Sequence, residues 1–277
     1  MHAIKSIPHL DEFIDGYTES RKGVFTNFYL YAPEIERLII QDRLFCDTAQ
    51  DGLYIYSDEG SYYRLYFYIN TGDIIEDVSM DKPVVCEILF SEGREEQKRA
   101  IEHTMQKFRL NKTSRMFSLN VRENESFINE QYNGIINGLV GEIEIRYATP
   151  HDLPVLHRFW RQDLDPVDFP FYTEEELLSF FSAGEVTVAE SYSHGVCATL
   201  WRTRKGSTAI HKHLTVAETM RDRKIGRLMA LDSMKKDLEE GVSVHNCWLD
   251  MSNTPTLRMH ASVNFTPTKR LSMQFVK

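Results

Sequence analysis

The stretch AIHKHLTVAETMRDRKIGRLMALDSM, residues 209–234, decides the reading of this chain. It opens as an apolar, β-prone run ending at Val216. It closes as a helical run in which Leu228, Leu231, Met234 and, further on, Leu238 recur on one face. Between the two, four cations (Arg221, Arg223, Lys224 and Arg227) crowd around Gly226. A strand, a short loop and a helix start place unpaired backbone N–H groups and a positive helix end beside the loop, an arrangement that holds phosphate-like anions. Gly226 permits either close approach or a left-handed backbone. The loop carries neither GxxxxGK[ST] nor GxGxxG, and the strands before it read as antiparallel, which excludes a P-loop NTPase and a Rossmann unit.

The surroundings make that basic loop conspicuous. The 277-residue chain has a net charge of −9, which argues against wholesale binding to nucleic acid or an anionic membrane. Residues 1–140 account for −8 and the remainder for −1, so the loop sits in a nearly neutral half. No apolar run approaches the roughly 20 residues of a membrane span. The opening MHAIKSIPHLDEF lacks the apolar stretch of a signal peptide, so a cytoplasmic protein is expected. Cys46, Cys86, Cys197 and Cys247 are scattered singly within apolar runs and form no CxxC pair; buried free thiols are expected, without a metal site.

Two halves are legible. In the first, Leu10, Phe13, Ile14 and Tyr17 mark a helix after Pro8, and PEIERLII marks a second. RLFCDT, GLYIYS, YYRLYFYIN and PVVCEILF read as strands, the last leading through SEG into a helix; RMFSLNV and FINEQYNGIINGLV add a strand and a helix. In the second half, EIEIRY is a strand. Thr149, Pro150 and Asp152 start a helix carrying Leu153, Leu156 and Trp160, and Thr173 caps another. EVTVAES, VCATLW and AIHKHLTV follow as antiparallel strands, then the basic loop and its helix, then VHNCWLDM, TPTLRMHASV and RLSMQFV. Both halves are read as helix, helix, three strands, helix, strand, helix, which suggests a fold duplication with its boundary between 138 and 141. The fold class is mixed α/β (α+β), with domains at 1–140 and 141–277, each a mostly antiparallel central sheet flanked by helices.

This element order, with RDRKIG in its loop, resembles the GNAT (GCN5-related N-acetyltransferase) superfamily of acyl-CoA-dependent N-acyltransferases, whose corresponding loop reads [RQ]xxGx[GA]. Arg221 and Gly226 match, while Lys224 stands in place of the first glycine. LDMSNTPTLRMHASVNF resembles the family's terminal NxxAxxLYxxxGF motif: Asn253 and Phe265 match, and His260 replaces the tyrosine. The resemblance covers residues 142–277 by motif and 1–140 by element order. It implies that Leu214, Thr215 and Val216 pair with the pantetheine arm of an acyl-CoA, most simply acetyl-CoA. It further implies that Arg221, Asp222, Arg223, Lys224, Ile225, Gly226 and Arg227 hold the pyrophosphate and that Asn253 contacts pantetheine. In the first half, the segment corresponding to this loop is LFSEGREEQKR, residues 89–99; its Glu95 and Glu96 would compete with phosphate, so that half is expected not to bind CoA.

Acyl transfer to an amine needs a neutral nucleophile, a polarised carbonyl and a proton for the leaving thiolate. In place of the family's tyrosine, His260 is either a proton donor or a packed helical histidine. His211 and His213, spaced i, i+2, are expected on one strand face as candidate bases or as ordinary strand residues. Asp250 is a further candidate base. The expected reaction transfers a short acyl group from CoA to a primary amine, on a small molecule or a peptide, without a metal. A non-catalytic acyl-CoA-binding module and an aminoacyl-type transferase are the alternatives. Neither the acceptor nor the oligomeric state is legible.

Overall fold

Ser6 caps the first helix by accepting the His9 N–H, and Pro8 occupies its first turn, where a missing N–H costs no helical hydrogen bond. In the first part of the chain the elements run β1 (His2–Ala3), α1 (Ile7–Thr18), β2 (Val24–Thr26), α2 (Ala32–Ile40), β3 (Leu44–Thr48), β4 (Gly52–Asp58), β5 (Tyr63–Asn70), β6 (Val84–Ser91), α3 (Glu95–Thr104), β7 (Arg109–Asn120) and α4 (Glu125–Ile136). There follow β8 (Ile143–Tyr147), α5 (Leu153–Asp163), α6 (Glu174–Ser182), β9 (Val186–Ser191), β10 (Gly195–Lys205), β11 (Thr208–Val216), α7 (Ile225–Glu239), β12 (Val244–Asp250), α8 (Thr254–Ala261) and β13 (Thr266–Val276). This computed structural model describes residues 1–277 apart from Ser20, Gln50, Asp77, Ser79, Val140 and Asp168.

The chain forms two units that interleave in sequence. Unit 1 comprises Met1–Thr113, Pro166–Phe171 and Arg270–Lys277; unit 2 comprises Ser114–Asp165 and Tyr172–Lys269. The sequence reading divides the chain after 140, whereas β7 from Ser114 and α4 count with unit 2 and the final residues with unit 1. Strand partners distant in sequence decide this, and no local pattern carries that information.

In unit 1 the strand order is β1-β3-β4-β5-β6-β13, antiparallel except for β5 with β6. Leu53, Ile55 and Tyr66 pack with Leu10, Tyr17, Ile35 and Leu38 of α1 and α2, while Tyr54, Tyr56 and Phe67 pack with Ile101 and Met105. Burial on both faces explains why β4 and β5 read as continuous apolar runs. Tyr54, Tyr56, Tyr62, Tyr63, Tyr66 and Phe67 are therefore core. One expectation is corrected here: β3 to β6 precede α3, and the described residues between β5 and β6 contain no helix. Residues 91–99 thus follow β6, the parallel partner strand, and are not the counterpart of the basic loop.

In unit 2 the order is β7-β12-β11-β10-β9-β8, antiparallel except for β11 with β12. On one face α7 contributes Leu228, Leu231 and Met234 to a core with Phe117, Ile128, Cys247 and Phe265. On the other, Trp201 packs against Trp160, Tyr172 and Phe180, at ring separations of 5.7, 5.2 and 4.9 Å. Thr149 and Asp152 form a capping box ahead of α5, and Thr173 with Glu176 forms another ahead of α6. All four cysteines are buried free thiols.

Candidate functional site

β11 and β12 pair in parallel only over residues 208–211 with 244–247. Beyond His211 the two strands part. β11 runs on to Val216 held by β10, with Leu214 opposite Leu200, Thr215 opposite Thr199 and Val216 opposite Ala198. β12 runs on to Asp250 held by β7. Among the described residues, no strand pairs with the edge that β11 turns toward the opening, and such an edge accepts an extended chain by main-chain hydrogen bonding. A groove of about 620 Å³ lies there, lined by Leu214, Thr215 and Val216 on one side and by Asn253, Thr256, Met259 and His260 on the other. Thr215 is 8% exposed and its Oγ1 has no hydrogen-bond partner among the described residues. A buried hydroxyl in that condition calls for a polar ligand atom or a water.

The groove ends on the basic loop. Asp222 and Lys224 have φ of 63° and 64°. Lys224 is the N-cap of α7 and supplies no side-chain cap; the side-chain acceptor that would ordinarily serve the first N–H groups is therefore missing. The lysine thus adopts the left-handed conformation for which the resemblance expects a glycine, at about 1 kcal/mol or more. Gly226, in contrast, serves close approach: a Cβ there would stand 3.3 Å from Val216 Cγ2. Ile225 is buried against Met220 and Met229 and anchors the helix start.

Three of the four cations line the groove with Asp222: Arg221, Lys224 and Arg227. Arg221 Nε donates to the Val216 carbonyl at 3.2 Å. Arg227 Nη2 donates to Gln131 Oε1 at 2.7 Å and to the Ser262 carbonyl at 3.0 Å. Arg223 does not belong to the groove lining. Its Nη2 pairs with Glu142 at 2.6 Å, so this predicted contact is corrected. Asn253 also lines the groove, with its Oδ1 accepting the Thr256 N–H at 3.1 Å as the cap of α8.

The predicted catalytic residues fare differently. The pairing of Trp201 with His213 and of Arg202 with His211 leaves Lys212 as an extra residue on β11. A one-residue bulge breaks the i, i+2 rule. His211 Nε2 lies 3.2 Å from Ser233 Oγ on α7, under the sheet. The His213 ring meets Trp201 at 6.1 Å on the α6 face. The two histidines therefore do not share a face, and neither lines the groove. Asp250 accepts from the Ser252 N–H and hydroxyl, both at 2.8 Å, as a turn cap away from the groove lining.

His260 does line the groove. Its Nδ1 is 2.9 Å from the Thr256 carbonyl. A carbonyl only accepts, so the ring proton resides on Nδ1 and Nε2 carries a lone pair. Burial pushes its pKa down to about 4, the Thr256 carbonyl opposing this and His245 adding to it. At neutral pH the imidazole is uncharged, which favours the packed helical histidine over an imidazolium acid. His211, 3.9 Å from His245 and 6.5 Å from His260 between ring centres, is held well below the usual histidine value by burial and then by His245, His260 and Arg202. Among residues that sequence reasoning missed as lining, Thr256 and Met259 precede His260 by four and one positions on α8. Their shared helix face was the available signal.

The sequence matches no protein-family profile and no curated protein. Solved structures do resemble it. An acetyltransferase of the GNAT family from Colwellia psychrerythraea superposes with a TM-score of 0.55 at 13% identity, covering 99% of this chain and 98% of that one. A GCN5-related N-acetyltransferase from Sphaerobacter thermophilus gives 0.55 at 12% identity, over 87% and 84%. A tandem GNAT protein from the clavulanic acid biosynthesis pathway gives 0.54 at 11%, over 85% and 83%. Along most of its length, this chain has the fold of the GCN5-related N-acetyltransferases.

Proposed function

We propose that the protein is an acyl-CoA-dependent N-acyltransferase whose donor site is the groove of unit 2. The observation that carries this reading is the parting of β11 from β12 at His211, which opens a strand edge leading to the side-chain-uncapped start of α7. An extended amide-bearing arm matches the edge, and a pyrophosphate matches the helix start with Arg221, Lys224 and Arg227 around it. The unpartnered Thr215 Oγ1 supports the fit, because a pantetheine amide supplies the polar atom it lacks.

Backbone groups of residues 214–216 hold the arm as an added strand and fix the thioester. Holding the donor beside the acceptor supplies the orientation on which acyl transfer depends. The acceptor, a primary amine on a small molecule or peptide, attacks as the free base. His260, neutral and with its proton committed to Thr256, does not protonate the departing sulfur. A thiol of pKa about 8.5 makes a good leaving thiolate as the C–S bond breaks, and the proton shed by the attacking nitrogen passes through water to that thiolate. The acyl group in its simplest form is acetyl.

Calorimetric titration with CoA and acetyl-CoA at low and moderate salt tests the donor site, and thiol release with a panel of primary amines tests transfer. One-site, salt-weakened binding is expected. Arg221→Ala with Lys224→Ala should lower affinity by tenfold or more, and Arg223→Ala should leave it within about twofold. No binding by the folded wild type removes the donor assignment; binding without turnover reduces the protein to an acyl-CoA-binding module.

A further inference from the structure

The sheet of unit 1 parts in the same manner as that of unit 2. β5 and β6 are parallel and pair only over residues 63–65 with 84–86. After that β5 continues to Asn70 and β6 to Ser91. β4 covers one edge of β5 from Tyr63 to Ile69. A strand has two edges, so the one that β6 leaves is the opposite edge. That edge is occupied by β2, with Val24, Phe25 and Thr26 antiparallel to Asn70, Ile69 and Tyr68.

The next residue enters the opening by its side chain. Asn27 Nδ2 donates to the Leu65 carbonyl at 3.1 Å and to the Glu87 carbonyl at 3.0 Å, and Cys86 Sγ lies 3.3 Å away. Its Oδ1 accepts the Phe67 N–H at 2.8 Å. Asn27 is 8% exposed. One carboxamide therefore serves backbone groups of both diverging strands, as an amide of an inserted chain would. Among the described residues of unit 2, no strand takes the corresponding edge of β11.

We propose that unit 1 contains a second slot for an extended, amide-bearing chain, and that the protein's own residues 24–27 are its permanent occupant. A tethered occupant competes at a high effective concentration, so a free ligand must displace both the β2 pairs and the Asn27 amide. The described residues between β5 and β6 also include no helix whose N-terminus would receive phosphates. It follows that the chain binds one acyl-CoA and not two. The ligand's identity rests on the function proposed for unit 2; the closed slot does not.

The test measures amide hydrogen exchange at Phe67 in the wild type, Asn27→Ala and Asn27→Asp, with CoA stoichiometry measured in parallel. Asn27→Ala should speed exchange at Phe67 about tenfold or more while leaving residues 214–216 unchanged. Asn27→Asp keeps the acceptor for Phe67 but sets a carboxylate against two carbonyls; it should lower the melting temperature while Phe67 remains protected. Unchanged Phe67 exchange in folded Asn27→Ala, or two equivalents of CoA bound by the wild type, overturns the proposal. If the wild type binds no CoA, the donor assignment of unit 2 fails, and exchange at Phe67 still decides the slot.

Discussion

Lowering the pH should destabilise unit 2 through its buried histidines, and the size of the effect follows from His260. In the unfolded chain its imidazole titrates near 6.5; in the fold burial holds it at about 4. Between those values the unfolded state binds a proton that the folded state does not. Stability is therefore intact above pH 6.5 and is lost as the pH falls toward 4. Linkage gives a loss of about 2 kcal/mol at pH 5 from this residue, rising to about 3 kcal/mol near pH 4. His211, shifted in the same direction, adds to the loss. The charged neighbours are Arg202 and Asp237, both buried and paired with each other, and Asp237 also faces His245 Nδ1 at 2.6 Å. Urea unfolding of the wild type and His260→Phe at pH 7.5 and pH 5.0 isolates the term, because carboxylate contributions are common to both proteins. Phenylalanine fits beside Phe265, whose ring lies 5.3 Å from that of His260. The variant should be less stable at pH 7.5, having lost the Thr256 hydrogen bond, yet should lose about 2 kcal/mol less than the wild type on acidification. An identical pH dependence in the two proteins refutes the assignment of a buried, neutral His260.

Two further substitutions test the site and its support. Lys224→Gly removes the strain of a lysine at φ 64° and also a groove cation; stability should be unchanged or higher by up to about 1 kcal/mol, while CoA affinity falls in a salt-dependent way. A lower melting temperature would show that the lysine side chain makes a stabilising contact. Arg202→Met leaves Asp237, fully buried beneath β10, without its guanidinium partner. It should cost about 3–5 kcal/mol by denaturant unfolding, and a loss under 1 kcal/mol would mean that Asp237 has another source of compensation.

The succession of strand, basic loop and helix that frames the proposed donor groove was open to sequence reading because its parts are local. A strand ending at Val216, a loop and a helix beginning at Ile225 follow one another without a gap, and helix-end electrostatics depend only on that succession. Local capping and periodicity likewise set Thr149 and Thr173 at helix starts. Non-local geometry decided the rest. Alternation placed His211 and His213 on one face, and a bulge fixed by pairing with β10 separated them. Arg223 looked equivalent to its neighbours until Glu142, 81 residues earlier, drew it out of the groove. For His260 the sequence left a proton donor and a packed helical histidine both open, and burial, which makes the charged form costly, favours the second. The strands each unit takes from the far parts of the chain, and the filling of the β5 edge by residues 24–27, were not legible, because sheet register is set by partners distant in sequence. The sequence by itself determined most of the strands and helices and the succession of strand, basic loop and helix start; tertiary structure decided which side chains face the groove and in what protonation state, since both depend on neighbours brought together only by folding.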